Sequence, residues 1–170
     1  ENLTAGAVEE HIDSFGAGLF QSKLEVGALV VDRRVVAELV DAASRLKEAG
    51  RPIKVTLVGA PDPENPASIP ERQIKKWEAR GLVEWLGHRT DVRDLWRDAS
   101  IAVLPTTYGE GVPKALIEAA ACARPIIATD VPGCREIVVD GESGILVPPN
   151  DSGALFEAIQ KLAGDAALRK

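Results

Sequence analysis

The chain has 170 residues, of which 45% are hydrophobic and 27% charged, and this composition fits one soluble domain with its own core. Its net charge of −6 argues against a nucleic-acid partner and against non-specific binding to anionic membranes, although a small basic pocket is still compatible with it. The two cysteines, Cys122 and Cys134, form neither a disulfide framework nor a zinc-ligand pattern, and no apolar run is long enough to span a bilayer. We therefore expect a soluble, cytoplasmic domain.

Short runs rich in Val, Ile and Leu alternate with amphipathic stretches along most of the chain. The runs predict strands at Val26–Val31, Ile53–Val58, Val83–Leu86, Ile101–Leu104, Ile126–Thr129 and Gly144–Val147. The stretches between them predict helices at Val35–Ala49, Pro70–Arg80, Val92–Ala99, Pro113–Cys122, Cys134–Val138 and Ser152–Leu162. Because the strands lack strict polar–apolar alternation, we expect helices on both of their faces. This predicts an α/β fold with a doubly wound, mainly parallel, Rossmann-like sheet.

The domain organisation follows from the same pattern. We interpret residues 1–25 as a linker or N-terminal segment of uncertain structure and residues 26–170 as one Rossmann-like domain. The proline-rich stretch Ala60–Pro70 follows a predicted strand, at the edge of the sheet where ligands bind in open α/β folds. It either borders a binding site or forms a solvated connector.

The segment from Leu104 to Asp130 contains the strongest functional pattern. A strand ends at Leu104, small residues follow around Glu110, and Pro113 opens a helix. A helix start has unpaired N–H groups and a positive dipole end, both of which suit a phosphate. Lys114 lies in the first turn, where its charge opposes the dipole, so it either attends an anionic ligand or is simply solvated.

Two carboxylates flank this helix start. Glu110 precedes Glu118 by eight positions, so a loop carboxylate and a helical one could contact different parts of one extended ligand. Carboxylates are good acceptors for the adjacent hydroxyls of a sugar. Glu118 is either a solvent-facing helical residue or, because its neighbours are almost all apolar, an acid that needs a partner.

The pattern E-G-x-P-x-x-x-(I/L)-E-A-x-A, followed by R-P-I-I-A-T-D, resembles the E-x7-E signature of retaining GT-B glycosyltransferases of family 4. The downstream VPGCREIVVDGESGILVPPND is similar to that family as well. Upstream, LVGAPDPENPASI and GLVEWLGHRTDV resemble a subgroup that builds O-antigen, capsule and lipid-linked oligosaccharides. The resemblance covers residues 26–163 and implies the donor-binding, C-terminal half of a GT-B fold.

The resemblance also implies a ligand and a set of roles. The ligand is a nucleoside diphosphate sugar, expected to be UDP-linked, bound without a cofactor or an essential metal. Glu110 would lie by the sugar ring as the catalytic residue, and Glu118 would bind the ribose hydroxyls. The other implied positions are Gly111, Val112, Pro113, Lys114 and Arg34 for the sugar or diphosphate, and His88 and Arg89 beside the base.

Two departures from the family pattern affect these expectations. Related sequences have an Arg and a Lys that clamp the diphosphate, and the matching positions here are Leu29 and Arg34. Arg33 either replaces the missing cation or solvates a helix start. The second departure is length, because a GT-B enzyme has a further, acceptor-binding domain. We expect that N-terminal domain to be absent from this chain, which should then bind donor weakly and catalyse nothing alone.

The sequence is therefore compatible with three functions. The first is the donor-binding domain of a glycosyltransferase whose acceptor is a saccharide or a lipid-linked saccharide, with peripheral membrane association through the full-length protein. The second is a nucleotide-sugar epimerase of the same architecture, which the ordered signature disfavours. The third is a non-catalytic nucleotide- or partner-binding module, which Leu29 favours.

Several further residues have two interpretations. His88 either faces the base or is a structural loop histidine, and Arg135 with Glu136 either borders the diphosphate pocket or forms a cap or salt bridge. Cys122 is predicted to be a small core residue and Cys134 a turn residue. The three tryptophans are predicted to belong to the core: Trp77, Trp85 and Trp96.

Overall fold

Six parallel strands form a single sheet in the computed structural model, which describes residues 24–29, 33–51, 53–61, 64, 68–107 and 111–169. The strands are β1 (Leu24–Leu29), β2 (Ile53–Val58), β3 (Glu84–Trp85), β4 (Ile101–Leu104), β5 (Ile126–Thr129) and β6 (Gly144–Val147). The helices within this part of the chain are α1 (Arg33–Glu48), α2 (Glu71–Ala79), α3 (Val92–Asp98), α4 (Lys114–Ala121), α5 (Pro132–Arg135) and α6 (Ser152–Gly164). The strand order β3-β2-β1-β4-β5-β6 confirms the predicted doubly wound, Rossmann-like fold.

Strand β4 shows why the strand sequences lack alternation. All four of its residues are buried. Ile101 and Val103 pack with α1 and α6 on one face of the sheet, whereas Ala102 and Leu104 pack with α3, α4 and α5 on the other. Helices therefore cover both faces, and a strand between them can be apolar at every position.

Helix α1 closes one face of the sheet against α6. The apolar side of this amphipathic helix is buried, and the same core contains Leu155 and Ile159 of α6. At the edge of this contact the Ser152 hydroxyl donates to Asp41 Oδ2 at 2.6 Å. The buried residues of α1 are Val36, Leu39, Val40, Ala42, Ala43 and Leu46.

Helix α5 differs from the prediction. It spans Pro132–Arg135 instead of Cys134–Val138, because Pro132 takes the first helical position after an extended Val131. The predicted turn role of Cys134 is therefore wrong. Cys134 belongs to this helix, and its side chain is fully buried in the core. This burial raises the pKa of the thiol to about 11.

The remaining differences are small. Strand β1 begins at Leu24, where it pairs with Ile53, and β3 is reduced to two residues at the edge of the sheet. Trp96 is buried and the other two tryptophans pack against the core, as predicted. Cys122, the residue that follows α4, is partly buried and packs against the core. Residues 1–23 of the predicted N-terminal segment lie outside the described residues.

Candidate functional site

The strand order reverses between β1 and β4, so the helices that follow these two strands lie on opposite faces of the sheet. The two strands are parallel and pair from Val26 with Ile101 to Ala28 with Val103. Their carboxyl ends consequently meet at one edge, where the chain leaves β4 towards α4. In open α/β sheets this switch point forms the crevice in which ligands bind.

The start of α4 is exposed at this edge. Pro113 is its N-cap residue, with an extended backbone (φ −67°, ψ 120°) and no capping side chain. Gly111, Val112 and Lys114 are exposed, and a Cβ atom added to Gly111 would meet nothing within 4 Å. Among the described residues this turn is therefore an exposed helix start without a capping side chain, which suits an anionic ligand.

Glu118 and Lys114 form an ion pair on one side of α4. Lys114 Nζ lies 3.4 Å from Glu118 Oε1, with side chains 88% and 34% exposed. The neighbours Ala115, Leu116 and Ala119 are buried in the core, so Glu118 sits at the boundary between core and solvent. Lys114 is thus the partner of Glu118 in this structure, and an exposed pair of this kind is weak enough to be exchanged for ligand contacts.

The loops after β2 and β3 are joined at the same edge. The Gly59 N–H donates to Gly87 O at 2.8 Å, and Trp85 Nε1 donates to Gly59 O at 2.8 Å. Gly87 has a φ of +65°, which favours glycine, and the chain turns there into His88 and Arg89. Both of these predicted base-adjacent residues are exposed.

Arg89 already has a partner in its own loop. Its guanidinium lies 2.8 Å (Nε) and 2.5 Å (Nη2) from the two carboxylate oxygens of Asp91. This hydrogen-bonded pairing lowers the pKa of Asp91 and raises that of Arg89. Both groups are therefore charged at neutral pH, and the pair joins two side chains of the same loop.

Three predicted site positions lie wholly or partly outside the described residues. Glu110 lies outside the described residues. Leu29 is the last residue of β1 and Arg34 the second residue of α1, so their backbones flank the carboxyl end of β1, and their side chains lie outside the description.

Sequence reasoning missed a connection between the exits of β4 and β5. The buried Thr129 hydroxyl donates to Thr106 O, which joins the two exits directly. Next to it, Arg135 Nε donates to Asp130 Oδ1 at 2.6 Å. Polar residues that follow an apolar strand, as Thr129 and Asp130 do at the end of I-I-A-T-D, are the signal that could have indicated these contacts.

A cavity of about 380 Å³ lies at the opposite, amino edge of the sheet, between the ends of α4 and α6. Its lining includes Arg124, Glu142 and Lys161 but none of the predicted site residues. No cluster of potential metal ligands occurs in the described part of the chain. None of the helices described above has the length and apolar character needed to cross a membrane.

Comparisons with known proteins point to one family. The family model described as "Glycosyl transferases group 1" matches residues 23–165. The Staphylococcus aureus capsular polysaccharide biosynthesis glycosyltransferase CapM is 32% identical over 145 residues, which cover 85% of this chain and 37% of the relative. The phosphatidyl-myo-inositol mannosyltransferase of Mycobacterium leprae is 31% identical over 157 residues, covering 89% and 40%.

Solved structures agree on the fold. Anabaena HepE in complex with UDP superposes with a TM-score of 0.75 at 22% identity, covering 98% of this chain and 45% of that one. Sucrose-phosphate synthase from Thermosynechococcus elongatus gives a TM-score of 0.73 at 27% identity, covering 93% and 41%. The chain thus spans less than half the length of each of these proteins, and its architecture is that of a Rossmann-like domain of GT-B glycosyltransferases. Because the family model matches most of its length, the chain belongs to the glycosyl transferases group 1 family.

Proposed function

We propose that this chain is the donor-binding, C-terminal domain of a family 4 glycosyltransferase. The enzyme would transfer a sugar, with retention of configuration, from a UDP-linked donor to a saccharide or lipid-linked acceptor in surface polysaccharide biosynthesis. The observation that carries the proposal is the open start of α4 beside the switch point between β1 and β4. The capsule-building relative and the UDP-bound structure of the same fold support it.

Each part of the donor has a proposed position along this edge. The diphosphate lies against the amides around Val112 and Lys114, where the positive end of the helix dipole favours an anion. Glu118 exchanges its pairing with Lys114 for the two ribose hydroxyls, and Lys114 is then released towards the phosphates. The base lies beside His88 and Arg89, in the loop that Trp85 and Gly59 hold in place.

The proposed chemistry is electrostatic and needs no essential metal or cofactor. Transfer leaves a nucleoside diphosphate whose negative charge grows as the glycosidic bond breaks. Fixed N–H groups and the cations Lys114 and Arg34 stabilise that charge, and preorganised stabilisation of this kind is usually the largest catalytic contribution. Glu110 acts at the sugar ring. We propose a cytoplasmic setting, with the acceptor and the acceptor-binding domain supplied by the longer protein, so that this chain binds donor and transfers nothing alone.

Calorimetric titration of the 170-residue chain with UDP, GDP and ADP tests the proposal. We expect UDP to bind, and Glu118→Ala to weaken it at least about tenfold, because two hydrogen bonds to a carboxylate are lost. Glu157→Ala removes a helical carboxylate from α6, on the other face of the sheet, and should leave UDP binding unchanged. Equal loss in both variants, or no effect of Glu118→Ala, contradicts the assigned role.

A second titration separates the sugar from the nucleotide. Glu110→Gln should weaken UDP-glucose binding and leave UDP binding unchanged, because Glu110 is placed at the sugar ring. If the wild-type chain binds no nucleotide at millimolar concentration, Leu29→Arg restores the cation of the family pattern. Binding gained by that variant would identify a non-catalytic module with a lost clamp, whereas continued absence of binding would overturn the donor site in this chain.

A further inference from the structure

Helix α5 places a guanidinium at the same sheet edge, and the proposed donor site leaves it without a role. Arg135 ends the helix, and its Nε lies 2.6 Å from Oδ1 of Asp130, the first residue after β5. A second nitrogen, Nη2, lies 3.5 Å from Asp130 O. The guanidinium therefore lies at the carboxyl edge of β5. Hydrogen bonding to Arg135 lowers the pKa of Asp130, so the pair is ionised at neutral pH.

A chain of polar contacts that is buried at Cys134 and Thr129 connects α5 to the exit of β4. Cys134, the residue before Arg135, is fully buried and hydrogen-bonded to Thr129. The Thr129 hydroxyl donates in turn to Thr106 O, two residues after the end of β4. Neighbouring strands in a sheet lie about 4.8 Å apart, so α5 begins close to the loop that leads into α4. The position of Arg135 is consequently set by the core as well as by its surface ion pair.

The guanidinium keeps hydrogen-bonding capacity beyond this pair. The guanidinium of arginine has five N–H donors, and within the described part of the chain the hydrogen bonds of the Arg135 guanidinium all go to Asp130. Nη1 is therefore available on a side chain that is 55% exposed. A guanidinium already oriented by a carboxylate loses little freedom when it binds a second anion, and its planar fork suits a phosphate or a carboxylate.

We propose that Arg135, oriented by Asp130, binds an anionic oxygen of the sugar donor, either on the diphosphate or on the carboxylate of an acidic sugar. Asp130 is a positioning residue in this arrangement. The inference rests on the proposed donor site and adds to it a cation on α5. The competing explanation is an ordinary surface ion pair, which contributes little to stability and nothing to binding.

Helix α3 offers a matched surface pair for comparison. Arg97 Nη1 lies 3.3 Å from Asp94 Oδ1, and the Arg97 side chain is 56% exposed, against 55% for Arg135. Arg97→Gln thus removes the same charge from an equally exposed position away from the carboxyl edge of β5. Arg135→Lys retains the charge but loses the fork.

The test is calorimetric titration of the wild type, Arg135→Gln, Arg135→Lys and Arg97→Gln with UDP, UDP-glucose and UDP-glucuronate. If Arg135 binds the diphosphate, Arg135→Gln weakens all three ligands about tenfold; if it binds a sugar carboxylate, only UDP-glucuronate is weakened. In either case Arg135→Lys recovers part of the loss and Arg97→Gln has no effect. Equal affinities for Arg135→Gln and Arg97→Gln overturn the inference while the proposed function stands.

Asp130→Asn tests the positioning role separately. It should weaken binding severalfold in the wild-type background and have no further effect in Arg135→Gln, because Asp130 acts through Arg135. An equal loss in both backgrounds would show that Asp130 acts independently and would overturn its assignment. If the wild-type chain binds none of the three ligands and Leu29→Arg does not restore binding, the donor site is overturned and the inference falls with it.

Discussion

Gly144, the first residue of β6, marks a close approach between two strands. A Cβ atom at this position would lie 2.2 Å from Ile126 O, 2.9 Å from Val138 Cγ1 and 3.0 Å from Ile126 C. The nearest obstacle is the backbone of β5, which pairs with Gly144 in the sheet, and no flexible side chain can move aside to relieve it. An alanine here would therefore push β6 away from β5.

We expect Gly144→Ala to lower the free energy of unfolding by about 2–4 kcal/mol. Overpacking of a filled interior costs about 1–3 kcal/mol, and a lost hydrogen bond at the end of the strand pair adds about 1 kcal/mol. For a domain of this size each 1 kcal/mol corresponds to about 2–4 °C in the unfolding midpoint. The midpoint should therefore fall by about 4–16 °C.

Thermal unfolding followed by circular dichroism, with urea unfolding followed by tryptophan fluorescence, gives both quantities. Gly164→Ala is the matched control, because a Cβ at the end of α6 meets nothing within 4 Å and alanine is the better helix former. That variant should be at least as stable as the wild type. A Gly144→Ala midpoint within about 1 °C of the control would refute the close-approach argument.

Three further predictions concern a hydrogen bond near the site, the two thiols and one carboxyl group of α1. Thr129→Val keeps the shape of the side chain but removes its hydrogen bond to Thr106 O, so the free energy of unfolding in urea should fall by about 1 kcal/mol. An unchanged value would contradict a stabilising role for this bond. In the native chain at pH 8 a thiol reagent should modify Cys122 and spare Cys134, because burial raises the pKa of Cys134 to about 11. Mass spectrometry counts the modified thiols, and modification of both would contradict the burial of Cys134. Burial, together with the negative charge of Asp151, raises the pKa of Glu38 above its ordinary value of 4.5. Because folding then favours the protonated carboxyl group, the free energy of unfolding declines as the pH rises above 4.5. Glu38→Gln should therefore raise the unfolding midpoint at pH 7 and lose that advantage well below pH 4.5, and an equal gain at both pH values would contradict the linkage.

Local patterning was sufficient for most of the fold. Strands β4, β5 and β6 have the predicted bounds because each is a short apolar run whose residues pack against the core on both faces. Helix α5 was misplaced because the apolar residues after Arg135 continue a helical pattern, although the regular helix ends at Arg135 and the next two residues form a turn. The proline at the first helical position was the better guide.

The site was predictable only where its parts are close in sequence. Lys114 and Glu118 have the i,i+4 spacing that joins side chains on one helix face, so their pairing could have been foreseen. The bond from Thr129 to Thr106 spans 23 positions and depends on β4 and β5 being neighbours. The link from Trp85 to Gly59 depends in the same way on β2 and β3.

The packing of α1 on α6 sets the order in which a newly made chain can fold. These are the first and last helices of the described domain, and Leu39 and Ile159 belong to one core. A chain emerging from the ribosome can form local helices early, but it cannot complete this face of the sheet until α6 has been synthesised. Contacts between distant segments are also slow to form. Until then the part of α1 that packs against α6 is uncovered and accessible to a chaperone or a protease.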